Sequence, residues 1–208
     1  MNKFLLLFFC FIFFGFVGMQ KTWELSVNKE DIKIYVKKSD TTSIKEYRAV
    51  MVVKAPMDSV VKKILDVKNI KKWSFKTKNS TLIKKISDTS WIFYMQNDLD
   101  WPAKNRDHVS KVVLKRKEDE CLITMTPENH LVKENPDFIR VKYFKGFWSV
   151  KKIDGKQTLV IQQLYGNPES NAPSFIINSM LLKAPFETFK AMRSQLEKSK
   201  KSTSNSQN

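Results

Sequence analysis

The chain has 208 residues, and 42% of them are apolar, which is enough to bury the core of one domain. Its formal net charge is +16, but only five of its 37 basic residues are arginines. Surfaces that read phosphates or bases favour the planar fork of arginine, so this excess of lysine argues against nucleic-acid binding. A solvated lysine-rich surface, or one that meets an anionic membrane, fits the composition better.

The N-terminal segment differs from the rest of the chain. An apolar run extends from Phe4 to Val17, which is shorter than the roughly 20 residues needed to span a bilayer as a helix. Its length and the preceding lysine predict a signal peptide over residues 1–19 and a secreted or periplasmic protein. The alternative is an uncleaved membrane anchor, because Phe16 lies where a cleavage site favours a small residue. Cys121 would then be the only cysteine of the mature chain, with neighbours typical of a core strand.

The next elements are two strands and a helix. Residues 31–39 and 44–55 are predicted as strands, and the second alternates with period two around Tyr47 and Met51. Pro56 suits a first helical position, and apolar residues recur on one face of the following segment up to Asp66.

After a short helical stretch near Trp73, the chain is predicted to consist almost wholly of strands. Because their connections are short, neighbouring strands should be antiparallel. In one long strand, Gly146 suggests a bulge or bend. The predicted strands are 80–87, 90–97, 107–115, 121–126, 138–152 and 158–165.

The last element is a long helix over residues 173–198, interrupted by Pro185. Its second half has one apolar stripe through Phe189 and Met192. Its first half is apolar on more than one face, so it is either buried all round or covers a cavity on one side and meets a membrane or partner on the other. In a domain with one curved sheet, we favour the second interpretation.

Four segments in this order resemble the START lipid-transfer family. They are residues 31–73, "WPAKNRDHV" at 101–109, "FIRVKYFKGFWSV" at 138–150 and "NAPSFIINSMLLKAPFETFKAMR" at 171–193. The resemblance implies an α+β, helix-grip fold: a curved antiparallel sheet closed over by a long C-terminal helix, with an internal hydrophobic cavity. It places a START-like domain at residues 20–199 and a polar tail at 200–208.

The resemblance also implies a function. START domains hold one hydrophobic lipid, typically a sterol, phospholipid or sphingolipid, between sheet and C-terminal helix. The loop at residues 98–105, here called the gate loop, and that helix form the mouth. The implied lipid-binding residues are Met95, Arg106, Val109, Ile123, Val141, Tyr143, Ile161, Ile177, Leu181 and Ala184. The implied gate or membrane-contact residues are Leu99, Trp101, Pro102, Phe175 and Met180.

Two arginines are open to two interpretations. Arg106 and Asp107 are adjacent in a strand, so one side chain should face the cavity and the other should face away. An arginine at the cavity edge could bind a lipid hydroxyl or phosphate, or it could belong to a structural charge cluster that fixes a loop to the sheet. Arg140 is open to the same alternatives.

An enzyme of the helix-grip type is the alternative function, with His108 as a conceivable base near the mouth. His108 and His130 are the only histidines, and neither has ligand-spaced partners for a metal. We therefore predict a monomeric, non-enzymatic lipid carrier or sensor that needs no cofactor, binds no nucleic acid and contacts an anionic membrane surface.

Overall fold

A computed structural model describes residues 22–38, 44–101, 104–167 and 174–204. The fold starts with three antiparallel strands, β1 (Glu24–Lys29), β2 (Ile32–Lys38) and β3 (Lys45–Val53). Sequence reasoning missed β1, although Trp23, Leu25 and Val27 alternate there with polar residues. Its tight hairpin with β2 turns at Glu30 and Asp31, which both have a left-handed backbone with φ of 51° and 55°.

Helix α1 (Met57–Leu65) follows, and its apolar face is buried in the core. Pro56 lies one residue before the helix, at the N-cap, rather than at the first helical position. A 3-10 helix (Val67–Lys72) then leads to the buried Trp73. These two short helices fill one end of the concave side of the sheet.

The remaining strands complete a single sheet that is open at both edges. They are β4 (Thr77–Ser87), β5 (Ser90–Asn97), β6 (Arg106–Arg116), β7 (Glu120–Pro127), β8 (Ile139–Arg140), β9 (Tyr143–Lys152) and β10 (Thr158–Asn167), with a 3-10 helix (Asn129–Leu131) after β7. The strand order is β1-β2-β3-β10-β9-β7-β6-β5-β4. All pairs along this path are antiparallel, as the short connections predict, whereas β8 lies parallel to β6.

The long strand predicted over residues 138–152 is broken in the structure. The chain leaves the sheet at residues 141–142, between β8 and β9, and Gly146 lies within β9. A Cβ at Gly146 would lie 2.7 Å from Leu164 Cδ1 and 3.1 Å from Met125 Cε. A side chain at this position would therefore have to displace the ends of Leu164 and Met125 on the concave face.

Helix α2 (Ser174–Ser204) lies across the open side of this sheet and extends into the predicted polar tail. Asn178 accepts the backbone N–H of Lys45 at the start of β3 (3.2 Å), and Gln195 donates to the carbonyl of Lys72 (2.7 Å). The helix thus connects the start of β3 with the 3-10 helix at Val67–Lys72. The predicted fold class, an α+β helix grip with a curved antiparallel sheet and a long C-terminal helix, is confirmed.

A buried ion pair lies on the convex face of the sheet. Arg140 donates to both carboxylate oxygens of Asp107, at 2.8 and 3.0 Å, and each side chain is 1% exposed. The guanidinium also donates to the carbonyls of Asn129, Val132 and Lys133, and Tyr94 donates to Asp107. Of the two interpretations, Arg140 therefore fits the structural charge cluster, because it holds the segment between β7 and β8 against the sheet.

Among the described residues, no helix is long and apolar enough to cross a membrane.

Candidate functional site

A cavity of about 370 Å³, partly open to the outside, lies between the concave face of the sheet and the first half of α2. Its wall is mostly apolar and comes from β3, β5, β6, β7, β9 and β10, the two short helices and α2. The second half of α2 packs directly against the sheet, and its Phe189 and Met192 are fully buried. The cavity is thus the part of the concave space that α2 leaves unfilled.

The period-two alternation of the strands sets which side chains reach the cavity. On β6 these are Arg106, His108, Ser110 and Val112. The intervening residues face the convex side, where Asp107 meets Arg140. Arg106 and Asp107 therefore face opposite sides of the sheet, as predicted for adjacent strand residues.

Most of the residues predicted to bind lipid lie in the cavity wall. Those that line it are Met95, Arg106, Ile123, Val141, Ile177, Leu181 and Ala184. Val109, Tyr143 and Ile161 do not belong to the wall. Val109 shares the convex face of β6 with Asp107, and Ile161 shares the convex face of β10 with Gln163.

Tyr143 is displaced for a different reason. Val141 lines the cavity from the irregular segment before β9, so the strand alternation restarts at Tyr143. Phe144 and Trp148 then face inward, and Tyr143 is 66% exposed. The irregular segment at residues 141–142 therefore shifts the alternation, so that Tyr143 lies on the exposed face of β9 instead of the predicted cavity face.

The predicted gate residues fall into two groups. Leu99 and Met180 line the cavity. Trp101 is 92% exposed and Phe175 is 72% exposed, so both point outward from the two segments that border the mouth. Pro102 lies outside the described residues.

The cationic side chains of the wall lie at its mouth. Arg106 begins β6 and is buried; its Nη1 donates to the carbonyl of Lys104, and burial lowers the pKa of its guanidinium. Lys76, at the start of β4, forms an exposed ion pair with Asp100 of the gate loop (2.7 Å). Among the described residues that line the cavity, there is no Asp, Glu or Cys.

The far end, here called the floor, is mostly aromatic and apolar, and it contains one hydrogen-bonded polar pair. Trp73 and Trp148 meet edge to face with centroids 6.0 Å apart, and Trp148 stacks on Phe189 at 5.7 Å. Tyr47 donates its hydroxyl to Gln162 Oε1 (3.0 Å), and burial raises the pKa of Tyr47 so that it stays protonated. Sequence reasoning missed this pair. The only available signal was the doublet Gln162-Gln163 within a strand, which must place one amide on each face.

His108 lies in the wall between mouth and floor. Its ring contacts Phe144 edge to face, with centroids 5.5 Å apart. Desolvation lowers the pKa of His108 to about 4, against opposing attraction from Asp107. The imidazole is therefore neutral at physiological pH.

Comparisons with known proteins identify the architecture. A model of the START domain matches residues 17–202. The chain belongs to the START domain family. It is 28% identical over 188 residues to an uncharacterized protein of Pseudomonas aeruginosa, which covers 89% of this chain and 93% of that protein. It is 26% identical over 164 residues to the phosphatidylcholine transfer protein of Rattus norvegicus, which covers 75% of each.

A solved structure agrees with the fold of this START domain. A fragment of the STAR-related lipid transfer protein from Xanthomonas axonopodis superimposes with a TM-score of 0.77 at 28% identity, covering 84% of this chain and 98% of that fragment. Among the described residues of the present START domain, no group of His, Cys, Asp and Glu side chains could hold a metal ion. Cys121 is buried, and burial raises the pKa of its thiol, which makes it a poor nucleophile.

Replacing His108 with Gln should make the stability of this START domain less sensitive to acid. The unfolded chain binds a proton at this histidine near pH 6.5, whereas the folded protein does so only near pH 4. Between these values the unfolded state binds more protons, so the free energy of unfolding falls as the pH falls, by up to about 3 kcal/mol. Urea unfolding of wild type and His108→Gln across this range measures the difference.

The exposed His130 provides the matched control. His130→Gln should retain the acid sensitivity of wild type. Parallel pH profiles for wild type and His108→Gln would contradict a neutral, desolvated His108.

Proposed function

We propose that this START domain is a non-enzymatic carrier that binds one lipid molecule in the cavity between the sheet and α2. The observation that carries the proposal is a mostly apolar cavity between sheet and helix whose cationic side chains, Arg106 and Lys76, lie at its mouth. Burial of the apolar part of a ligand against this wall is favourable by roughly 25 cal/mol for each Å² of apolar surface removed from water. The family and the name of the rat relative support lipid as the ligand class.

Arg106 is the residue we assign to the polar end of the ligand. It lies in the cavity wall where β6 begins, beside the gate loop, and its guanidinium offers several N–H donors in a fixed planar geometry. A phosphate, carboxylate or hydroxyl at the mouth would receive charge-assisted hydrogen bonds from it. Its strand neighbour Asp107 faces the other way and is committed to Arg140, so it does not compete for this role.

The gate loop is fastened by contacts that can be broken at low cost. The backbone N–H of Asp98 donates to the carbonyl of Lys76 (2.8 Å), and that of Leu99 donates to Asn105 Oδ1 (3.0 Å). The ion pair between Lys76 and Asp100 is largely exposed, and exposed pairs contribute only about 0 to 1 kcal/mol. Loop opening is therefore the route by which a lipid would enter and leave.

The rim of the mouth is the surface we assign to the membrane. Trp101 on the gate loop and Phe175 at the start of α2 are large exposed aromatics beside the opening. Aromatic rings of this kind favour the interfacial region of a bilayer. The exposed Lys104 and Lys183 are carried by the same two segments, and each lysine near an anionic surface contributes on the order of 1 kcal/mol.

We place this activity outside the cytoplasm, in a secreted or periplasmic monomer. The N-terminal apolar segment supports export, and its retention as a membrane anchor is the alternative outcome. Processing is decided by N-terminal sequencing of the protein from its own host: a start near residue 20 supports the secreted form, and a start at Met1 supports the anchored one.

The described part of the cavity wall gives the enzyme alternative little support. His108 is neutral and lines the cavity, but among the described wall residues it has no carboxylate or thiol to act with. A positioned base without an orienting acid is a weak catalytic arrangement, so we assign it a structural role.

Replacing Val141 with Trp should abolish lipid binding. The protein is purified from its own host without detergent and analysed by native mass spectrometry, and the organic extract is identified in parallel. Wild type should carry one lipid molecule, whereas Val141→Trp fills part of the cavity and should carry none.

Tyr143→Trp is the matched control, two residues away on the exposed face of β9, and it should keep the lipid. Leu181→Trp fills the cavity from α2 and checks that the loss does not depend on one strand. An empty wild-type protein that still takes up nothing from a total lipid extract would contradict the carrier function.

Replacing both Trp101 and Phe175 with Ala should weaken binding to vesicles of phosphatidylglycerol and phosphatidylcholine by about tenfold or more, because each exposed ring loses its apolar contact with the bilayer. Co-sedimentation measures the bound fraction. Ile86→Ala is the control: Ile86 is equally apolar and 49% exposed, but it lies nine positions along β4 from Thr77, about 30 Å from the mouth. Equal losses in both variants would refute the assigned membrane face.

A further inference from the structure

The size of the cavity suits a small lipid. A volume of about 370 Å³ lies near the lower end of the ~300 to 1,000 Å³ range of small-molecule pockets. A lipid with one chain of short or medium length fits such a volume best.

The length of the cavity also suits a single chain. Along β6 the wall residues run from Arg106 at the mouth to Val112, six positions or about 20 Å apart. Along β10, Gln162 lies four positions further from the mouth than Gly166, about 13 Å. A chain whose polar end contacts Arg106 would therefore bring its other end towards Gln162.

Gln162 places a side-chain amide donor in this mostly apolar floor. Its Oε1 accepts the hydroxyl of Tyr47 (3.0 Å), which fixes the orientation of the amide. Its Nε2 has no protein acceptor among the described residues. A donor that faces apolar ligand atoms without an acceptor is unfavourable, whereas a ligand oxygen at that point removes the penalty.

The adjacent Gln163 shows the contrast. It lies on the convex face, where its Oε1 accepts two hydrogen bonds from Arg48 and its Nε2 donates to Glu46. All of its polar atoms are thus used by the protein. Of the two neighbouring amides, only that of Gln162 retains donor capacity in the cavity.

We propose that the cavity selects a single-chain lipid that carries a hydroxyl or carbonyl oxygen at its buried end, and that the Gln162 amide donates to this oxygen. The proposal rests on the carrier function proposed above and defines its ligand class. Tyr47 acts as a positioning residue, because it holds the amide through Oε1.

Affinities for dodecanoic acid and 12-hydroxydodecanoic acid test this selection directly. The two probes differ only in the oxygen at the end remote from the carboxylate. A purely apolar floor would bind the hydroxylated acid about tenfold more weakly, because the hydroxyl would lose its hydrogen bonds to water. We expect wild type to bind it at least as tightly as dodecanoic acid, as measured by isothermal titration calorimetry on the purified protein.

Two variants assign the effect to the amide. Gln162→Leu should shift the preference towards dodecanoic acid by about tenfold, and Tyr47→Phe should shift it in the same direction by less. Gln163→Leu, on the convex face, should keep the wild-type preference. Wild-type preference for dodecanoic acid, or an unchanged ratio in Gln162→Leu, would overturn the proposal.

Failure of this inference is distinguishable from failure of the carrier function. If neither probe binds but native mass spectrometry still detects a lipid adduct, the single-chain ligand is wrong and the carrier function stands. The same holds if a diacyl lipid is the adduct. If no probe binds and no adduct is found, the carrier function itself fails.

Discussion

The architecture depends on a mismatch between one broad sheet and one helix. A twisted, strongly curved sheet must bury its concave face, and in the described residues only α2 and two short helices are available to cover it. The second half of α2 does this by ordinary packing, with Phe189 stacked on Trp148. The first half spans a wider gap, and side chains do not fill it. The cavity is the direct result.

Strand alternation then divides the chemistry between the two faces. On β6 the convex side receives Asp107, which is neutralised by Arg140, and the concave side receives Arg106 and His108. Removing one partner of such a buried pair typically costs about 3 to 5 kcal/mol, because the other charge is then left buried without compensation, so both residues must be kept together. The described cavity wall therefore has a cationic mouth and contains no acidic side chain.

Much of this arrangement could be predicted from the sequence. Regular alternation and short turns indicated the antiparallel sheet, and the excess of apolar residues in the first half of the last helix indicated a covered cavity. Leu181 and Ala184 of that helix line the cavity, as predicted. A prediction for a helix face tolerates small errors in position, because one face includes several residues in each two turns. The position of α2 over the cavity follows from the same excess of apolar residues in its first half.

It was harder to predict which strand residues face the cavity, because a shift of one residue exchanges the two faces of a strand. Val109 and Ile161 are as apolar as true wall residues, so composition alone could not show that they face the convex side. The break between β8 and β9, which reverses Tyr143, depends on the parallel pairing of β8 with β6 and has no local sequence signal. The doublet Gln162-Gln163 placed one amide on each face, but its proposed role also depends on the contact with Tyr47, which is distant in sequence.

The most direct measurement of the central claim is photo-crosslinking with a fatty acid that carries a diazirine in its chain, followed by peptide mapping. A lipid held between sheet and α2 should label wall residues from both, such as Ile123 of β7 and Leu181 of α2. Unlabelled fatty acid should suppress this labelling. Labels confined to exposed apolar residues of β4, such as Leu82 and Ile86, would contradict the account, because they would show that lipid adheres to the outside of a protein whose cavity it does not enter.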